Sequence, residues 1–352
     1  MIPSFDKIHL KFKLNGNNYD FNELKEVAYS LIKEGEAYEK ITGKFLLDWL
    51  DEKDYILVKT SGSTGKPKTI KLSKQAMVNS CIATGNYLKL TPGKTALHCL
   101  PTNFIAGKMM LVRAMILGLE MDLVEPTSQP IFDYDKVYHF CAMLPMQLES
   151  TMGYLHNVRN IIVGGSSVST HLIELTQTLK TKVFATYGMT ETATHIALKP
   201  LNNQAQEPYF KTLPGVSISQ DERGCLVVNA PEVSKEIVVT NDIVKLHSDT
   251  EFEWLGRIDN VINSGGVKLF PEQIEEKLKG KIKQQFFVAS LPDTKLSEKL
   301  ILVLESESNF LETSVFEGLN KFEIPKAIYS VAKFIMTSNG KIKRTETLKL
   351  IK

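Results

Sequence analysis

The densest run of chemically useful side chains is Lys59-Thr60-Ser61-Gly62-Ser63-Thr64-Gly65-Lys66-Pro67-Lys68, directly after an apolar stretch read as a strand, Tyr55 to Lys59. Gly62 and Gly65 let the backbone approach a ligand and aim its amides at phosphate oxygens. Thr60, Ser61, Ser63 and Thr64 add hydroxyl donors, and Lys66 and Lys68 add charge. Such a loop suits a triphosphate held while its α-phosphate reacts. It is not the G-x-x-x-x-G-K-[ST] loop of many nucleotide hydrolases, because Pro67 follows Gly65-Lys66 and the glycines stand too close together. The plainer alternative is a flexible Ser/Gly turn between strand and helix.

Four further segments carry usable groups. Val163-Gly164-Gly165-Ser166-Ser167 is a double-glycine turn, weak by itself because any strand-to-helix turn can carry one. Ala185-Thr186-Tyr187-Gly188-Met189-Thr190-Glu191-Thr192 offers an aromatic ring, hydroxyls and one carboxylate. Thr240-Asn241-Asp242 is followed by Gly256-Arg257-Ile258-Asp259 and then by Asn263-Ser264-Gly265-Gly266-Val267-Lys268. Near the end, Asn339-Gly340 presents Lys341 within a basic stretch that otherwise reads as a solvated tail.

In this order the five segments resemble the signatures of the adenylate-forming superfamily of acyl-CoA synthetases, luciferases and peptide-synthetase adenylation domains. The resemblance covers most of the chain from residue 55 to 345. It implies ATP, Mg²⁺ and coenzyme A as cofactors and co-substrates, with Thr60, Ser61, Gly62, Ser63, Thr64, Gly65, Lys66 and Lys68 on the phosphates. Gly164, Gly165 and Ser166 would meet the adenine edge, where Tyr187 and Gly188 also lie. Thr190 would touch the α-phosphate and Glu191 would help hold Mg²⁺, which takes hard oxygen ligands and usually only one or two carboxylates. Asp242 would accept both ribose hydroxyls, with Arg257 close by. Asp259 matches the family hinge, Gly265-Gly266 its thiol channel, and Lys341 its travelling lysine. Two departures stand out. The family's T-G-D is T-N-D here, where asparagine is expected to keep a turn through its tolerance of left-handed backbone. Ile335-Met336 replaces the usual Pro-Arg, which is expected to affect packing and not chemistry.

Leu100-Pro101-Thr102-Asn103-Phe104-Ile105-Ala106-Gly107 resembles the family's acyl-pocket motif, with Phe104 as the gating aromatic. Arg113, six residues beyond Gly107, is similar in offset to an arginine of the o-succinylbenzoate–CoA ligases of menaquinone synthesis. A guanidinium there would pair with the carboxylate that is not activated; the alternative is an ordinary arginine on a helix surface. The phosphate loop lies earlier in this chain than in most of the family. A trimmed N-terminal region and a partly missing pocket wall are therefore expected, favouring a small aromatic acid over a long-chain fatty acid. Another small aromatic or aliphatic acid, a carrier-protein thiol, and a nucleotide-binding module without catalysis are the competing readings.

These groups need a scaffold. Ile8, Leu10, Phe12 and Leu14 alternate with polar residues before Asn15-Gly16, predicting a strand and turn, and residues 22–50 read as helical. Strands near 55–59, 96–100, 119–124, 140–144, 161–163 and 182–186 alternate with helices, one capped by Ser73 and carrying Met77 and Cys81 on one side, and others near 105–118 and 169–180. That rhythm predicts an α/β fold with parallel-rich sheet and covering helices. After about residue 213 strands crowd together (224–228, 237–240, 252–255), predicting a small β-rich subdomain. Beyond Gly256 an α+β tail follows, with a helix at 271–279 that Pro271 starts and strands near 286–291 and 299–305. The division expected is an N-terminal adenylation core, 1–258, and a small mobile C-terminal domain, 259–352.

Composition fits a chain that handles small molecules. Its 352 residues are 43% hydrophobic and 23% charged, with 42 Lys+Arg against 40 Asp+Glu for a net charge of +2. That balance argues against nucleic acid held by bulk electrostatics. Cys81, Cys99, Cys141 and Cys225 have no C-x-x-C or metal spacing and read as reduced, partly buried thiols. With no basic-apolar leader and no run of about 18 apolar residues, a cytoplasmic protein without a membrane span is expected. Its partners would be a carboxylic acid, ATP and coenzyme A, with the assembly open between monomer and homodimer.

Overall fold

A computed structural model describes residues 3–59, 69–203, 208–336 and 342–351. The chain opens with β1 (Lys13–Leu14) and β2 (Asn17–Asn18), turned by Asn15 and Gly16 at φ of 50° and 85°. The strand expected from residue 8 is thus confined to its last two residues. Before it the Phe12 amide turns back onto the His9 carbonyl and the His9 amide is taken by Met115, so Leu10 is left 93% exposed.

The helical stretch is two helices, α1 (Phe21–Glu34) and α2 (Ala37–Trp49). Gly35 is extended, and the Glu36 amide is capped by the Glu39 side chain at 2.8 Å, which starts a new helix where the first stops. Next come the hairpin β3 (Tyr55–Lys59) and β4 (Thr69–Ser73) and helix α3 (Lys74–Leu88), capped by Ser73 as the sequence predicts. Lys74 is fully buried and paired with Asp51 at 2.7 Å, pinning the hairpin to the body.

The alternating part follows: β5 (Thr95–His98), α4 (Ile105–Leu117), β6 (Glu120–Leu123), β7 (Phe140–Met143), α5 (Pro145–Thr151), β8 (Asn160–Val163), α6 (Thr170–Thr176) and β9 (Lys182–Gly188). Helix α6 ends earlier than expected because the amides of Gln177, Thr178 and Leu179 bond three residues back, as tight turns. Strands β1, β6, β5, β7, β8 and β9 lie side by side, each neighbouring pair parallel. Alternate strand residues enter different cores: Ala96, Phe140, Ala142 and Ile162 one, Leu97, Cys141, Ile161 and Val163 the other. Both faces are covered, as a parallel sheet requires. Helix α4 is buried almost all round, between α3 and the sheet.

From β9 the pairing turns antiparallel: β10 (His195–Pro200), β11 (Phe210–Thr212), β12 (Ser217–Gln220), β13 (Cys225–Asn229), β14 (Val238–Leu246) and β15 (Glu251–Arg257). This β-rich part has its own core, including Ile218, Leu226, Val228 and Phe252. It is also hydrogen-bonded into the same sheet through β11 and β15, giving thirteen strands among the described residues. A second sheet follows, with β16 (Ile262–Ser264), β17 (Val267–Leu269), β18 (Phe286–Asp293), β19 (Ser297–Glu305) and β20 (Ala327–Val331). Helices α7 (Pro271–Leu278) and α8 (Arg344–Leu348) accompany it, joined by a 2.8 Å pair between Arg344 and Glu275. Pro271 occupies the first turn of α7, as expected. All four cysteines are buried and free. Among the described residues no helix is long and apolar enough to cross a membrane.

Candidate active site

The sheet gathers motifs that are far apart in sequence. Strands β5, β8 and β9 run parallel, so the segments leaving their carboxyl ends emerge at one edge. These are the Leu100–Gly107 motif, the Gly164-Gly165 turn and Tyr187 to Glu191. That edge is where open α/β sheets bind ligands. The Lys59 and Thr69 backbones pair across β3 and β4, and β4 packs beside a 3-10 turn at Thr190–Thr192. Thr60, Ser61, Gly62, Ser63, Thr64, Gly65, Lys66 and Lys68 lie outside the described residues, as does Lys341.

A continuous set of contacts runs from Gly164 to Asp259. The Thr186 hydroxyl donates to the Val163 carbonyl at 3.1 Å, and a Cβ on Gly164 would stand 2.2 Å from that same oxygen. A side chain at Gly164 would force the Thr186 hydroxyl off that bond. At Gly188 glycine is a steric necessity: a Cβ there would meet the His195 Cα at 2.3 Å and the Thr194 carbonyl at 2.4 Å. The Tyr187 hydroxyl donates to Asp242 Oδ2 at 2.7 Å, while its ring packs on Phe252 and Phe210 at 5.0 and 5.9 Å between centroids. Burial, and then the Asp242 charge, hold that phenol protonated well above its ordinary range. Asp242 faces Arg257 across the β14–β15 pair, with Arg257 Nε 3.7 Å from Oδ1, and Arg257 reaches Asp259 at 3.2 Å. Asp242 and Arg257 are half-buried, whereas Ser166, Glu191 and Asp259 are exposed.

The Thr240-Asn241-Asp242 segment is a strand and not the turn expected from sequence. It lies inside β14, and Asn241 is not among the residues at positive φ. Its side chain instead takes a hydrogen bond from Arg223 at 3.2 Å and donates to Asp259 at 3.4 Å. Without a positive φ the position has no need of glycine, so asparagine is tolerated for a different reason. Gly265 and Gly266, at φ of 57° and 83°, form the two-residue turn of the β16–β17 hairpin. Beyond Asp259, Asn260 donates to Glu272 on α7, whose other carboxylate oxygen is buried near Gly256 without a hydrogen-bond partner. Lys279 donates to Ser167 at 3.1 Å, bringing the second sheet's unit against the Gly164-Gly165 turn.

Phe104 precedes α4 as its N-cap residue and is 40% exposed. The surface alternative for Arg113 is excluded, since the residue is 1% exposed inside the body. No carboxylate among the described residues pairs with it. Its Nη2 lies 3.5 Å from His195 Nδ1, its Nε has no hydrogen-bond partner, and the Phe140 ring is 5.9 Å from its Cζ. Burial lowers its pKa, and burial followed by the guanidinium charge pushes His195 well below 6.5, so the imidazole is neutral. His195 and its partner Thr84, 3.2 Å from Nε2, were not singled out from sequence. The available signal was position: His195 starts β10, four residues past Glu191, and pairs with Gly188 of the Tyr187–Glu191 motif.

One exposed carboxylate, Glu191, in the Thr190–Thr192 turn fits Mg²⁺, which shares its shell with phosphate and water. No cluster of three His, Cys, Asp or Glu side chains exists among the described residues to make a closed metal cage.

Residues 19–240 match the family model described as AMP-binding enzyme. An acyl-CoA synthetase (AMP-forming)/AMP-acid ligase II-like protein from Dyadobacter fermentans is 35% identical, with TM-score 0.61 over 92% of this chain and 97% of that one. A 2-succinylbenzoate–CoA ligase of Listeria monocytogenes is 25% identical over 94% of this chain and 75% of its own length. The o-succinylbenzoate CoA synthetase of Bacillus subtilis, solved with its acyl-adenylate intermediate, shares the fold at TM-score 0.76 and 17% identity, over 96% and 95% of the two chains. The family match spans more than half of the chain and takes in the Leu100–Gly107, Gly164-Gly165 and Tyr187–Glu191 segments of the sheet edge, so the chain belongs to the AMP-binding enzyme family.

Proposed function

We propose that this AMP-forming acid–thiol ligase activates o-succinylbenzoate, joining it to AMP and then to coenzyme A. The observation that carries the choice of acid is Arg113. A fully buried guanidinium with no carboxylate partner among the described residues is costly, and the cost is offset when a substrate supplies the missing anion. A dicarboxylate does this with the group that is not activated, and a monocarboxylate has nothing to offer. The ligase names of the relatives from Listeria and Bacillus agree with this reading.

The first step is in-line attack of a carboxylate oxygen on the α-phosphorus of ATP, with pyrophosphate leaving. Two anions must meet, so positioning and charge neutralisation dominate. In this reading Ser61, Ser63, Thr64 and Lys68 hold the leaving phosphates, with Thr60, Gly62, Gly65 and Lys66 completing the loop. Tyr187, Gly164, Gly165 and Ser166 seat the adenine, and Asp242 with Arg257 holds the ribose. Thr190 meets the α-phosphate. Glu191 would hold Mg²⁺, whose charge offsets that of the phosphates when bound. Lys341 bridges the attacking carboxylate and the α-phosphate. Residues from 259 onward then rotate about Asp259, withdrawing Lys341 and bringing Gly265-Gly266 to the thiol, a hinge motion of known type.

ATP–pyrophosphate exchange with o-succinylbenzoate, phenylacetate, benzoate and short fatty acids, followed by trapping with coenzyme A, tests the proposal. Exchange is expected to be fastest with o-succinylbenzoate. Faster exchange with a monocarboxylate would overturn the choice of acid, and no exchange with any acid would overturn the activity.

A further inference from the structure

We propose that His195 is a positioning residue for Arg113, and that its neutral acceptor holds the guanidinium in place without cancelling the charge that selects a dicarboxylic acid. This rests on the dicarboxylate reading above.

The hydrogen-bond directions fix the form of the imidazole. The Thr84 hydroxyl has one proton, and it donates to the Ser80 carbonyl at 3.0 Å. It must therefore accept from His195, 3.2 Å away, which places the imidazole proton on Nε2. The lone pair on Nδ1 is then left for Arg113 Nη2 at 3.5 Å. The chain Arg113, His195, Thr84, Ser80 carries donors in one direction only and ends on the backbone of α3. That backbone is rigid, so the guanidinium inherits a fixed place.

Neutrality is the second half of the argument. Among the described residues the other groups facing the guanidinium are uncharged: the Phe140 ring from β7 and, from α3, the Cys81 thiol, which burial keeps protonated with a pKa of about 12. His195 is itself 5% exposed and beside a cation, where it resists a proton. An aspartate at position 195 would bond Arg113 more strongly and make a cheaper buried pair, but it would also occupy the charge. The long 3.5 Å contact and the unpartnered Nε leave donors for a second, stronger acceptor. Because His195 also pairs with Gly188, the anchored guanidinium is tied in register to the Tyr187–Glu191 segment.

Asparagine and aspartate at position 195 share a shape and differ in charge, which gives the test. KM and kcat for pyrophosphate exchange are measured for wild type, His195→Asn, His195→Asp and His195→Leu. The acids are o-succinylbenzoate and its monoacid analogue lacking the carboxylate that is not activated, and thermal melts check folding. Wild type is expected to prefer the diacid. His195→Asn, which restores a neutral acceptor, is expected to keep that preference within about threefold. His195→Asp is expected to raise KM for the diacid by about 10²-fold, with little change for the monoacid, because the internal carboxylate competes for Arg113. His195→Leu is expected to fall between them. If wild type shows no diacid preference, the dicarboxylate reading fails and takes this inference with it. If wild type prefers the diacid and His195→Asp keeps the preference, the inference alone is overturned. Equal KM losses for both acids in Asn and Asp, or an Asn variant that does not fold, also overturn it by making the role structural.

Discussion

Replacing Arg113 by methionine separates a residue kept for substrate from one kept for the fold. Arg113 is 1% exposed, its Nε is unpartnered and no carboxylate among the described residues neutralises it. Replacing buried ionic groups by apolar ones of similar volume is often neutral or stabilising, by up to about 4 kcal/mol. Against this stands His195 Nδ1, a buried acceptor left unsatisfied at a cost of about 1–3 kcal/mol. The two nearly cancel, so Tm is expected to stay within about 3 °C of wild type for the cooperative unit containing α4. Activity should fall instead. Losing a buried partner of a substrate carboxylate costs about 3 kcal/mol, or ~10²-fold in KM for a diacid at 1.36 kcal/mol per decade. Melting curves by fluorescence and pyrophosphate exchange with the diacid and its monoacid analogue read both effects from one preparation. A variant that melts several degrees lower and loses both acids equally would refute the reasoning, because Arg113 would then be a structural cation.

Asp242→Ala removes the carboxylate that accepts from Tyr187 and faces the Arg257 charge, and is expected to raise KM for ATP by about 30-fold, the scale of a charged hydrogen bond; unchanged nucleotide affinity in a direct titration would count against the ribose role. Lys341→Ala should lose adenylate formation by at least ~10²-fold while thioester formation from supplied acyl-adenylate is largely spared, and equal damage to both half-reactions would contradict its role. Stability should fall as the medium is acidified below about pH 6.5. Burial holds His98 down to about 3 and His195 well below 6.5, so the unfolded chain takes up protons that the folded chain does not. Between pH 6.5 and 5 the two together should cost about 3 kcal/mol, read as a shift in urea midpoint, and His98→Asn should remove about half of the slope.

How much was legible from sequence follows from where the chemistry resides. The phosphate-loop composition, the order of the five motifs and the alternation of strands with helices all depend on residues near one another in the chain. Local composition and period-2 or period-3.6 patterning reach that far. Helix α3 with its Ser73 cap, Pro271 at the start of α7, and the parallel run from β5 to β9 emerge as the patterns predict. The two-residue strand at Lys13–Leu14, the break at Gly35 and the early end of α6 were misjudged, because backbone hydrogen bonds outside the local pattern decide them.

The sequence by itself pointed to the class of chemistry, because a hydroxyl- and lysine-rich glycine loop followed by Tyr-Gly-x-Thr-Glu resembles, in order, the signatures of the adenylate-forming superfamily. Only the tertiary structure decided what surrounds each group. It put Asn241 in a strand and not a turn, joined the β-rich part to the main sheet through β11 and β15, and buried Arg113 beside a neutral histidine 82 residues away in sequence. The physical reason is that charge and hydrogen-bonding capacity belong to a side chain, whereas burial and partners belong to its neighbours in space. A guanidinium's value to a substrate depends on whether those neighbours already satisfy it.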